Sequence, residues 1–589
     1  MRAHGRRVVS LLTSVAFFSA SLPAGAQAQQ AGALPTAGSV VSGAAAISSP
    51  STTSVLVKQS SKNAILNWGS FSIGAGNAVR FENGSGATLN RVTGLSRSQI
   101  DGALTATGSV YLVNPNGITV GPTGAITTGG SFVASTHDVS DAAFMAGGDL
   151  TFRGTSTATV INYGSIGALG GDVALIARTV ENAGAITAPN GTAALAAGYE
   201  VLVRDGALSD GKFVVKVGGA DTQAKTSGVI KAAEVELRAN GGNVYALAGN
   251  TTSITKATGV ANKGGRIFFT AGDGGALEVS QKMVARGASA NGKTKGGEIR
   301  VSGGTVKVRA PLDARGEGER GGTIVVSGRD IALASGADLD MSGTTGGTLL
   351  VGGDYQGGKD AASKYLPETI STAQTTTVAP GARIAADGAA GAGGKVVVWS
   401  DQATSFQGAI SATGAGTSAG GDAEVSGKAL LDYRGTADLR GAGGFGTLLL
   451  DPYNITISSG SAVNSSGMTA TDNDSVISTS TLQSALSSAN VAITTGGAGS
   501  AGAQAGNITV ADGVSWSSGT SLTLSAYGNI AVNANLSGGT GSQIVLRSDN
   551  SGTGTGTVSF GSGITATASG GVSIYYNPTN YASPTNYAA

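Results

Sequence analysis

The stretches GGEIRVS at residues 296–302 and GGTIVVS at residues 321–327 are two copies of one pattern, in which a Gly-Gly pair precedes a short run of alternating apolar and polar residues. The pattern recurs, for example as GGRIFF at 264–269 and GGKVVV at 393–398, and the pairs that begin at 296, 321 and 346 are 25 residues apart. Alternation with a period of two predicts β-strands, and a fixed spacing of this size is typical of repeat architectures.

Shorter segments between these strands, such as INYGSIGA at 161–168 and ENAGAITA at 181–188, have the pattern of a turn, a strand and a second turn. A unit of about 20 to 27 residues with two or three such strands predicts one coil of a parallel β-helix. Stacked coils bury a continuous column of Val, Ile and Leu, in which we place Val325, while glycine and asparagine suit the corners. The predicted fold class is therefore all-β, a parallel β-helix; the alternative, a β-sandwich, fits the near-constant spacing poorly.

The composition favours an ordered β-protein without disulfides. Glycine accounts for 97 of 589 residues and charged residues for 12%, which would also suit disorder, but the 40% hydrophobic residues stand in short β-branched runs. The sequence contains no cysteine, although secreted proteins are often stapled by disulfides. Stability is therefore expected to come from packing and backbone hydrogen bonds, and the lack of disulfides suits a chain that crosses a membrane pore unfolded.

The first residues predict export. Arg2, Arg6 and Arg7 precede an apolar run that ends in AQA at 26–28, so residues 1–28 are predicted to be a secretory signal peptide. Its removal lowers Lys+Arg from 37 to 34, against 36 Asp+Glu. A balance so close to neutral argues against a nucleic-acid partner.

Several stretches after the signal peptide carry a family resemblance: NWGSFSIG at 67–74, LNRVTG at 89–94, GSVYLVNPNGI at 108–118 and GGSFVAST at 129–136. In this order they resemble the N-terminal secretion domain of the filamentous haemagglutinin family, the exoproteins of two-partner secretion. The family's second motif, Asn-Pro-Asn-Leu, is absent, and NGSG stands at 83–86 instead. The positions that match are Asn67, Trp68, Phe71, Asn90, Arg91, Gly94 and the secretion motif Asn114, Pro115, Asn116, Gly117 and Ile118.

The resemblance implies a right-handed β-helix with an N-terminal cap, recognised by the periplasmic domains of a dedicated outer-membrane barrel transporter in a Gram-negative bacterium. It also implies a location outside the cell or on its surface. The chain is then expected to divide into a secretion domain at 29–270, Gly-rich β-helix repeats at 271–445 and a Ser, Thr and Asn-rich β-repeat region at 446–589. Within the last region we predict a short helix or loop at 478–488 and an extended, mobile C-terminal tail.

The secretion motif is also interpretable from its residues alone. Asn114-Pro115 starts a tight turn, Asn116-Gly117 supplies positive φ, and Ile118 returns to the core. Two interpretations stay open, a turn that is critical for folding and a turn that the transporter reads directly, and both can hold. Trp68 and Phe71 are interpreted as aromatic residues of the cap or core.

Side chains suited to catalysis or metal binding are sparse. His137 is the only histidine after the signal peptide, so it has no histidine partner for a metal site and no motif for a catalytic triad around it. We therefore predict a protein that is not an enzyme and has no cofactor or metal. The densest charged cluster is interpreted as a solvated corner and consists of Asp313, Arg315, Glu317, Glu319 and Arg320.

The leading functional hypothesis is an adhesin-like exoprotein, secreted or displayed on the surface. Its expected partners are the transporter and a host or surface receptor, with carbohydrate as one class of receptor. The alternative is a carbohydrate-active β-helix enzyme that acts on extracellular polysaccharide. A third hypothesis, a passenger with its own membrane barrel, is disfavoured because residues 507–589 are short, Gly-rich segments without the strands of about ten residues that such a barrel needs.

Overall fold

The computed structural model describes residues 32–208, 211–249, 252–260, 264–359, 362, 364–460, 465–466, 469–470, 474–496 and 505–575. The predicted signal peptide and the predicted C-terminal tail lie outside these residues. Among the described residues there is no helix with the length and apolar character needed to cross a bilayer.

The chain winds through three strands per coil, one on each of three faces, and most strands pair in parallel with their equivalents on the next coil. On faces 2 and 3 this pairing is interrupted after Leu430–Tyr433 and Thr436–Asp438, and the later strands of these faces form separate sheets. Ser109–Val113, Ile118–Val120 and Ala125–Thr128 form one such coil on faces 1, 2 and 3. They pair with equivalent strands both above and below. The parallel β-helix predicted from the Gly-Gly spacing is therefore confirmed.

Face 1 runs along the described chain from its first coil to its last. Its strands are Asn63–Trp68, Ala87–Val92, Ser109–Val113, Phe132–Ser135, Val173–Ala177, Arg266–Thr270, Thr348–Val351, Lys395–Ser400, Asp422–Gly427, Thr447–Leu450, Asn490–Thr494, Ser521–Ser525, Gln543–Arg547 and Val572–Tyr575. Four longer strands bend across a corner: Ala185–Ala197 and Val229–Ala239 run from face 3 into face 1, and Glu298–Val308 and Thr323–Leu333 run from face 1 into face 2.

Faces 2 and 3 complete the coils. Face 2 contains Ser98–Ile100, Ile118–Val120, Thr159–Asn162, Thr179–Asn182, Gln223–Thr226, Asn243–Ala246, Ala276–Val279, Thr375–Val378, Ala403–Phe406, Leu430–Tyr433, Asn454–Ser458, Asp474–Ser478, Ile508–Val510, Ile530–Val532 and Val558–Phe560. Face 3 contains Ser54–Gln59, Ala78–Glu82, Ala103–Ala106, Ala125–Thr128, Ser165–Ala168, Ile254–Thr258, Lys282–Ala290, Leu312–Asp313, Asp338–Asp340, Arg383–Ala385, Ala409–Ser411, Thr436–Asp438, Val514–Trp516, Leu536–Gly538 and Ala566–Thr567.

The core is a column of stacked aliphatic side chains inside the coils. In the strand Thr323–Leu333, Ile324 and Val326 point inward and are fully buried. Because successive side chains of a strand alternate, Val325 points to the outer side of face 1. It is only 3% exposed, so its predicted burial is confirmed, but it lies outside the inner column that contains Ile324 and Val326, and its predicted place in that column is wrong.

The first coil is closed by antiparallel strands. Ser39–Ser42 pairs with Asn63–Trp68, and Ala45–Ser51 pairs with Ser54–Gln59. These strands satisfy the hydrogen-bonding groups of the first coil that no earlier coil could satisfy. They form the N-terminal cap that the resemblance implies.

Two insertions cover the outer side of face 1. The first consists of the helix Asp141–Ala146 and the antiparallel strands Leu150–Arg153, Glu200–Leu208 and Gly211–Val217. Its apolar side chains pack on outward-facing residues of face 1 in a second hydrophobic cluster. The second insertion contains the 3-10 turn Tyr355–Gly358 and covers Leu350, Val397 and Trp399.

The remaining elements are short. Lys293–Gly296 and the pair Ser465–Ser466 and Thr469–Ala470 form antiparallel hairpin segments. The helix Thr479–Leu486 is capped by the hydroxyl of Ser478, so of the two alternatives predicted for 478–488, a short helix or a loop, the structure has the helix.

Candidate functional site

The secretion motif forms the corner between faces 1 and 2 of its coil. The backbone amide of Gly117 donates to the carbonyl of Asn114 over 3.0 Å, which closes a four-residue turn with Pro115 in its second position. Gly117 has φ of +102°, a conformation that suits glycine. Ile118 is fully buried and begins the face 2 strand. Of the pair Asn116-Gly117, only Gly117 has positive φ.

The side chain of Asn114 is directed into the protein, where it is fully buried. Its Nδ2 donates to the carbonyl of Ser96 over 3.0 Å and to Oγ of Ser98 over 2.9 Å, and its Oδ1 accepts from the backbone amide of Asn116 over 2.9 Å. The amide therefore ties the turn to the corner of the preceding coil. These contacts favour the structural interpretation for Asn114, because a fully buried side chain presents nothing to a partner.

Asn116 extends the same attachment. It is half-buried, and its Nδ2 donates to the carbonyl of Gly94 over 2.9 Å. Pro115 is exposed, and its carbonyl accepts from the hydroxyl of Ser156 over 2.6 Å. Of the five motif residues, Pro115 and Asn116 are thus the ones with surface that a partner can contact.

Four of the other residues that match the family, Asn67, Trp68, Phe71 and Asn90, lie in the coils before the secretion motif. Trp68 and Phe71 are each 1% exposed, and their rings meet edge to face with centroids 5.5 Å apart. Nε1 of Trp68 donates to Oδ1 of Asn90 over 3.0 Å. The backbone of Asn67 pairs with Ser39 of the cap. The interpretation of Trp68 and Phe71 as cap or core aromatics is consistent with this geometry.

Arg91 links the coil to the first insertion. Its Nε donates to Asp138 over 2.8 Å, its Nη2 to the carbonyl of Val139 over 2.6 Å, and its Nη1 lies 2.5 Å from Asp141. Burial alone would lower the pKa of Arg91, but the hydrogen bonds and charges of Asp138 and Asp141 outweigh it and raise that pKa. The guanidinium therefore stays charged and anchors the start of the helix Asp141–Ala146.

Gly94 lies where two coils approach closely. A Cβ atom at this position would stand 2.1 Å from the carbonyl oxygen of Gly69, a distance that no side chain tolerates. The corner at 93–97 is therefore held between Gly69 on one side and the side chains of Asn114 and Asn116 on the other.

Asn83, at the place where the family's Asn-Pro-Asn-Leu motif would stand, also begins a turn. The amide of Gly86 donates to its carbonyl over 2.8 Å, and Gly84 has φ of +56°. Its buried Oδ1 accepts from the backbone amide of Gly108 over 2.7 Å, and its Nδ2 donates to the carbonyl of Ser109 over 2.9 Å. The asparagine thus ties two coils together at this corner without the proline.

His137 is fully buried, and its Nε2 lies 2.7 Å from the carbonyl of Gly198. Burial lowers its pKa and outweighs the opposing hydrogen bonds to Gly198 and Thr136. The ring is therefore neutral near pH 7. It stands between the coil and the first insertion, whose Tyr199 ring lies 6.3 Å away.

The charged cluster at 313–320 differs in part from its prediction as a solvated corner. Four of its residues are exposed, but Asp313 is 5% exposed and pairs with the buried Arg286 over 2.9 Å and with Arg315 over 3.0 Å. Burial alone would raise the pKa of Asp313, but the hydrogen bonds from Arg315 and Arg286 outweigh it and hold that pKa well below its usual range. A carboxyl that stays ionised in this way is unsuited to act as a general acid. The predicted solvated corner is thus wrong for Asp313.

Sequence reasoning missed the partners that complete the motif corner. Ser96 and Ser98 accept from Asn114, and Ser156 donates to Pro115. Leu95, between these contacts, is 93% exposed. An isolated leucine between Gly94 and Ser96 is the sequence signal that could have drawn attention to this corner.

Comparison with known proteins gives a match of residues 26–279 to the TPS secretion domain. A heme/hemopexin-binding protein of Haemophilus influenzae is 33% identical over 270 residues, which cover 44% of this chain and 29% of that protein. A second heme/hemopexin-binding protein of Haemophilus influenzae is 44% identical over 85 residues, 14% of this chain and 9% of that protein. The chain thus spans less than a third of the length of the curated relatives it matches.

Two solved structures are also similar. The HMW1 secretion domain from Haemophilus influenzae has 23% sequence identity and a TM-score of 0.42, and the alignment covers 75% of this chain and 100% of that chain. The filamentous hemagglutinin secretion domain has 14% identity and a TM-score of 0.29, with 58% and 99% covered.

Proposed function

Because its residues 26–279 match the TPS secretion domain, we propose that the protein is an exoprotein of two-partner secretion whose remaining β-helix acts outside the cell as an adhesin. The resemblance predicted from residues 67–136 is confirmed by this match and by the Haemophilus relatives. Proteins with this domain are secreted across the outer membrane of Gram-negative bacteria, and the domain implies a cognate outer-membrane transporter. The division of the chain at 270 and 445 is part of the proposal.

The observation that carries the adhesin proposal is the continuity of face 1 beyond the secretion domain. Arg266–Thr270 pairs with Glu298–Val308, and Asp422–Gly427 pairs with Thr447–Leu450, so on face 1, though not on faces 2 and 3, the parallel register passes both proposed boundaries without a break. A solenoid of this kind carries an extended lateral surface far from its first coil. Such a surface suits contact with a receptor on a host or other solid surface.

A groove of about 460 Å³ on face 3 supports carbohydrate as the class of receptor. It lies beside the strand Thr436–Asp438, and its lining combines Arg383, Asp438 and Arg440 with Ser411, Ser487 and Ser488. Hydroxyls and charged groups of both signs are the hydrogen-bonding partners that a sugar needs.

The proposal is tested by adherence of cells that express the full chain together with its transporter. We expect more cells to bind a glycan-coated or host-cell surface than cells in which the chain is deleted, and we expect Arg383→Ala to reduce binding while the amount of exported protein is unchanged. An exported wild-type chain that confers no adherence would refute the adhesin role. The enzymatic alternative predicts instead that the exported protein releases reducing ends from acidic polysaccharide.

A further inference from the structure

Leu95 is the most exposed large hydrophobic side chain among the described residues. Its side chain is 93% exposed, against 56% for Leu169 and less than 50% for the others of this kind. A leucine this exposed makes almost no contact within the chain and contributes almost nothing to folding through burial. Single exposed leucines are common, so the position of Leu95 has to carry the argument.

That position is the corner on which the secretion motif acts. Nδ2 of Asn116 donates to the carbonyl of Gly94, and Nδ2 of Asn114 donates to the carbonyl of Ser96. The two asparagines therefore hold the residues on either side of Leu95, and the close approach of Gly94 to Gly69 fixes the corner from the other coil. The conformation that presents Leu95 to solvent is thus set in advance, which reduces the entropy cost of binding.

The surroundings of Leu95 form a small surface with a definite chemistry. Pro115 is exposed at the same corner on the adjacent coil. Arg97 is also exposed, and its Nη2 lies 3.5 Å from the position that a Cβ of Gly117 would occupy, so its guanidinium extends over the turn. We call Leu95, Arg97 and Pro115 the corner surface. It offers an apolar contact beside one positive charge.

We infer that the corner surface is the contact through which the secretion domain is recognised by the periplasmic part of its transporter, and that Asn114 and Asn116 act by holding Leu95 in place. This inference rests on the proposed export by a two-partner transporter. The occupant is argued from position, because the corner surface lies inside residues 26–279, which match the TPS secretion domain, and because the side chains of Asn114 and Asn116 hold that corner. The complementary surface on the transporter is an apolar pocket with an acidic rim, since Leu95 needs burial and Arg97 needs a negative partner.

The test compares Leu95→Ser with Leu169→Ser in the full chain, co-expressed with the cognate transporter. Leu169 is an exposed leucine of the same domain at a different corner. Its own carbonyl accepts from the side chain of Asn190, whereas at Leu95 the asparagines hold the carbonyls of the two neighbouring residues. We expect Leu95→Ser to reduce the exported amount at least tenfold with an unchanged thermal unfolding profile, and Leu169→Ser to be exported as the wild type is. Equal export of Leu95→Ser and wild type would overturn the inference. Failure of the wild type itself to be exported would refute the proposed function instead.

A second measurement identifies what contacts the corner. Because the natural chain has no cysteine, Leu95→Cys introduces a single thiol that can be crosslinked in the periplasm, with Leu169→Cys as the matched control. We expect a covalent adduct with the transporter from position 95 and little from position 169. An adduct of position 95 with a second copy of this chain, or equal transporter adducts from both positions, would overturn the inference.

Discussion

The indole Nε1 of Trp68 donates a hydrogen bond of 3.0 Å to Oδ1 of Asn90 on the next coil, and neither side chain is more than 1% exposed. Nδ2 of Asn90 in turn lies 3.3 Å from the carbonyl of Tyr111, one coil further on. A series of hydrogen bonds thus connects three successive coils in the part of the domain that the cap closes. Within a solenoid, where contacts are mostly between neighbours, these hydrogen bonds fix the first coils relative to one another.

Trp68→Phe is expected to destabilise these coils by about 1–3 kcal/mol, because it leaves Oδ1 of Asn90 buried without a donor. The aromatic contact with Phe71 should largely survive. Hydrogen exchange of the strands Asn63–Trp68 and Ala87–Val92 measures the effect. Trp68→Phe should cost less in an Asn90→Leu background, which has already lost the acceptor and the Nδ2 contacts with Thr88 and Tyr111, than in the wild type. An equal cost in both backgrounds would mean that packing of the indole, and not its hydrogen bond, is what matters.

Val326→Asp is expected to unfold its own coil and the adjacent ones, because it buries an unpaired carboxylate at a cost of several kcal/mol. Val326 pairs with Val301 on one side and Val351 on the other. Faster hydrogen exchange should therefore be confined to these strands, while strands near Val110 keep their protection. Ser335→Asp, at an exposed corner, is the control. Loss of protection from hydrogen exchange along the whole β-helix would contradict nearest-neighbour coupling.

The comparison of Val325 with Val326 shows how far the sequence determines the fold. The Gly-Gly spacing and the alternating runs predicted coils and strands correctly, because they report backbone geometry. The inward side of face 1 was harder to assign, since runs such as VVVW at 396–399 are apolar at both alternating positions. The physical reason is that the insertions cover the outer side of this face, so Val397 and Trp399 are buried there while Val396 and Val398 fill the core.

The site was predictable to a similar degree. The turn at 114–118 was predicted from its residue types, because proline restricts φ to a narrow range and glycine permits positive φ. The partners of its side chains did not follow, because they belong to other coils or to an insertion. Arg91 meets Asp138 across 47 residues of sequence, and this contact exists only because the first insertion folds back onto face 1.

Glu424 is expected to make the second insertion sensitive to pH. Its side chain is 1% exposed, and burial raises its pKa to about 7, against the hydrogen bonds from the amide of Gln356 and the hydroxyl of Ser426. The charge of Asp354 raises it further, and the neighbouring Asp451 also has a pKa raised by burial and by the charge of Glu424. The buried Glu424 and the half-buried Asp451 therefore both have a pKa above the usual range where this insertion meets face 1.

The folded protein holds a proton on Glu424 that the unfolded chain releases, so stability here is full below about pH 4.5 and falls as the pH rises through 7. Glu424→Gln keeps the acceptor for Gln356 and removes the titration. We expect hydrogen exchange of residues 364–374, corrected for intrinsic rates, to rise between pH 5 and pH 8 in the wild type and to rise less in the variant. The pH dependence of hydrogen exchange that remains in the variant is attributed to the titration of Asp451. An identical pH response in both proteins would refute a role for Glu424.

The last prediction separates folding from recognition in the secretion motif. Asn114→Ala removes the donors to Ser96 and Ser98 and the acceptor for the amide of Asn116, all at a fully buried position. We expect the secretion domain to lose about 2–3 kcal/mol of local stability and export to fall with it. Thermal unfolding of the full mature chain, monitored by hydrogen exchange at residues 94–120, measures the first effect, and the fraction of chain outside the cell measures the second.

Two further variants make that prediction decisive. Gly117→Val forces a β-branched residue to φ of +102° and places its Cβ 3.1 Å from the carbonyl of Thr159, so it should destabilise the turn at least as much as Asn114→Ala. Pro115→Ala alters an exposed side chain and should leave the turn folded, because alanine adopts the same backbone angles. If export follows stability for Asn114→Ala and Gly117→Val, the motif acts through folding, whereas reduced export of Pro115→Ala with an intact turn would mark the exposed proline of the corner surface as a contact. If Asn114→Ala unfolds like the wild type yet stays inside the cell, the buried amide is needed for recognition and the structural interpretation fails.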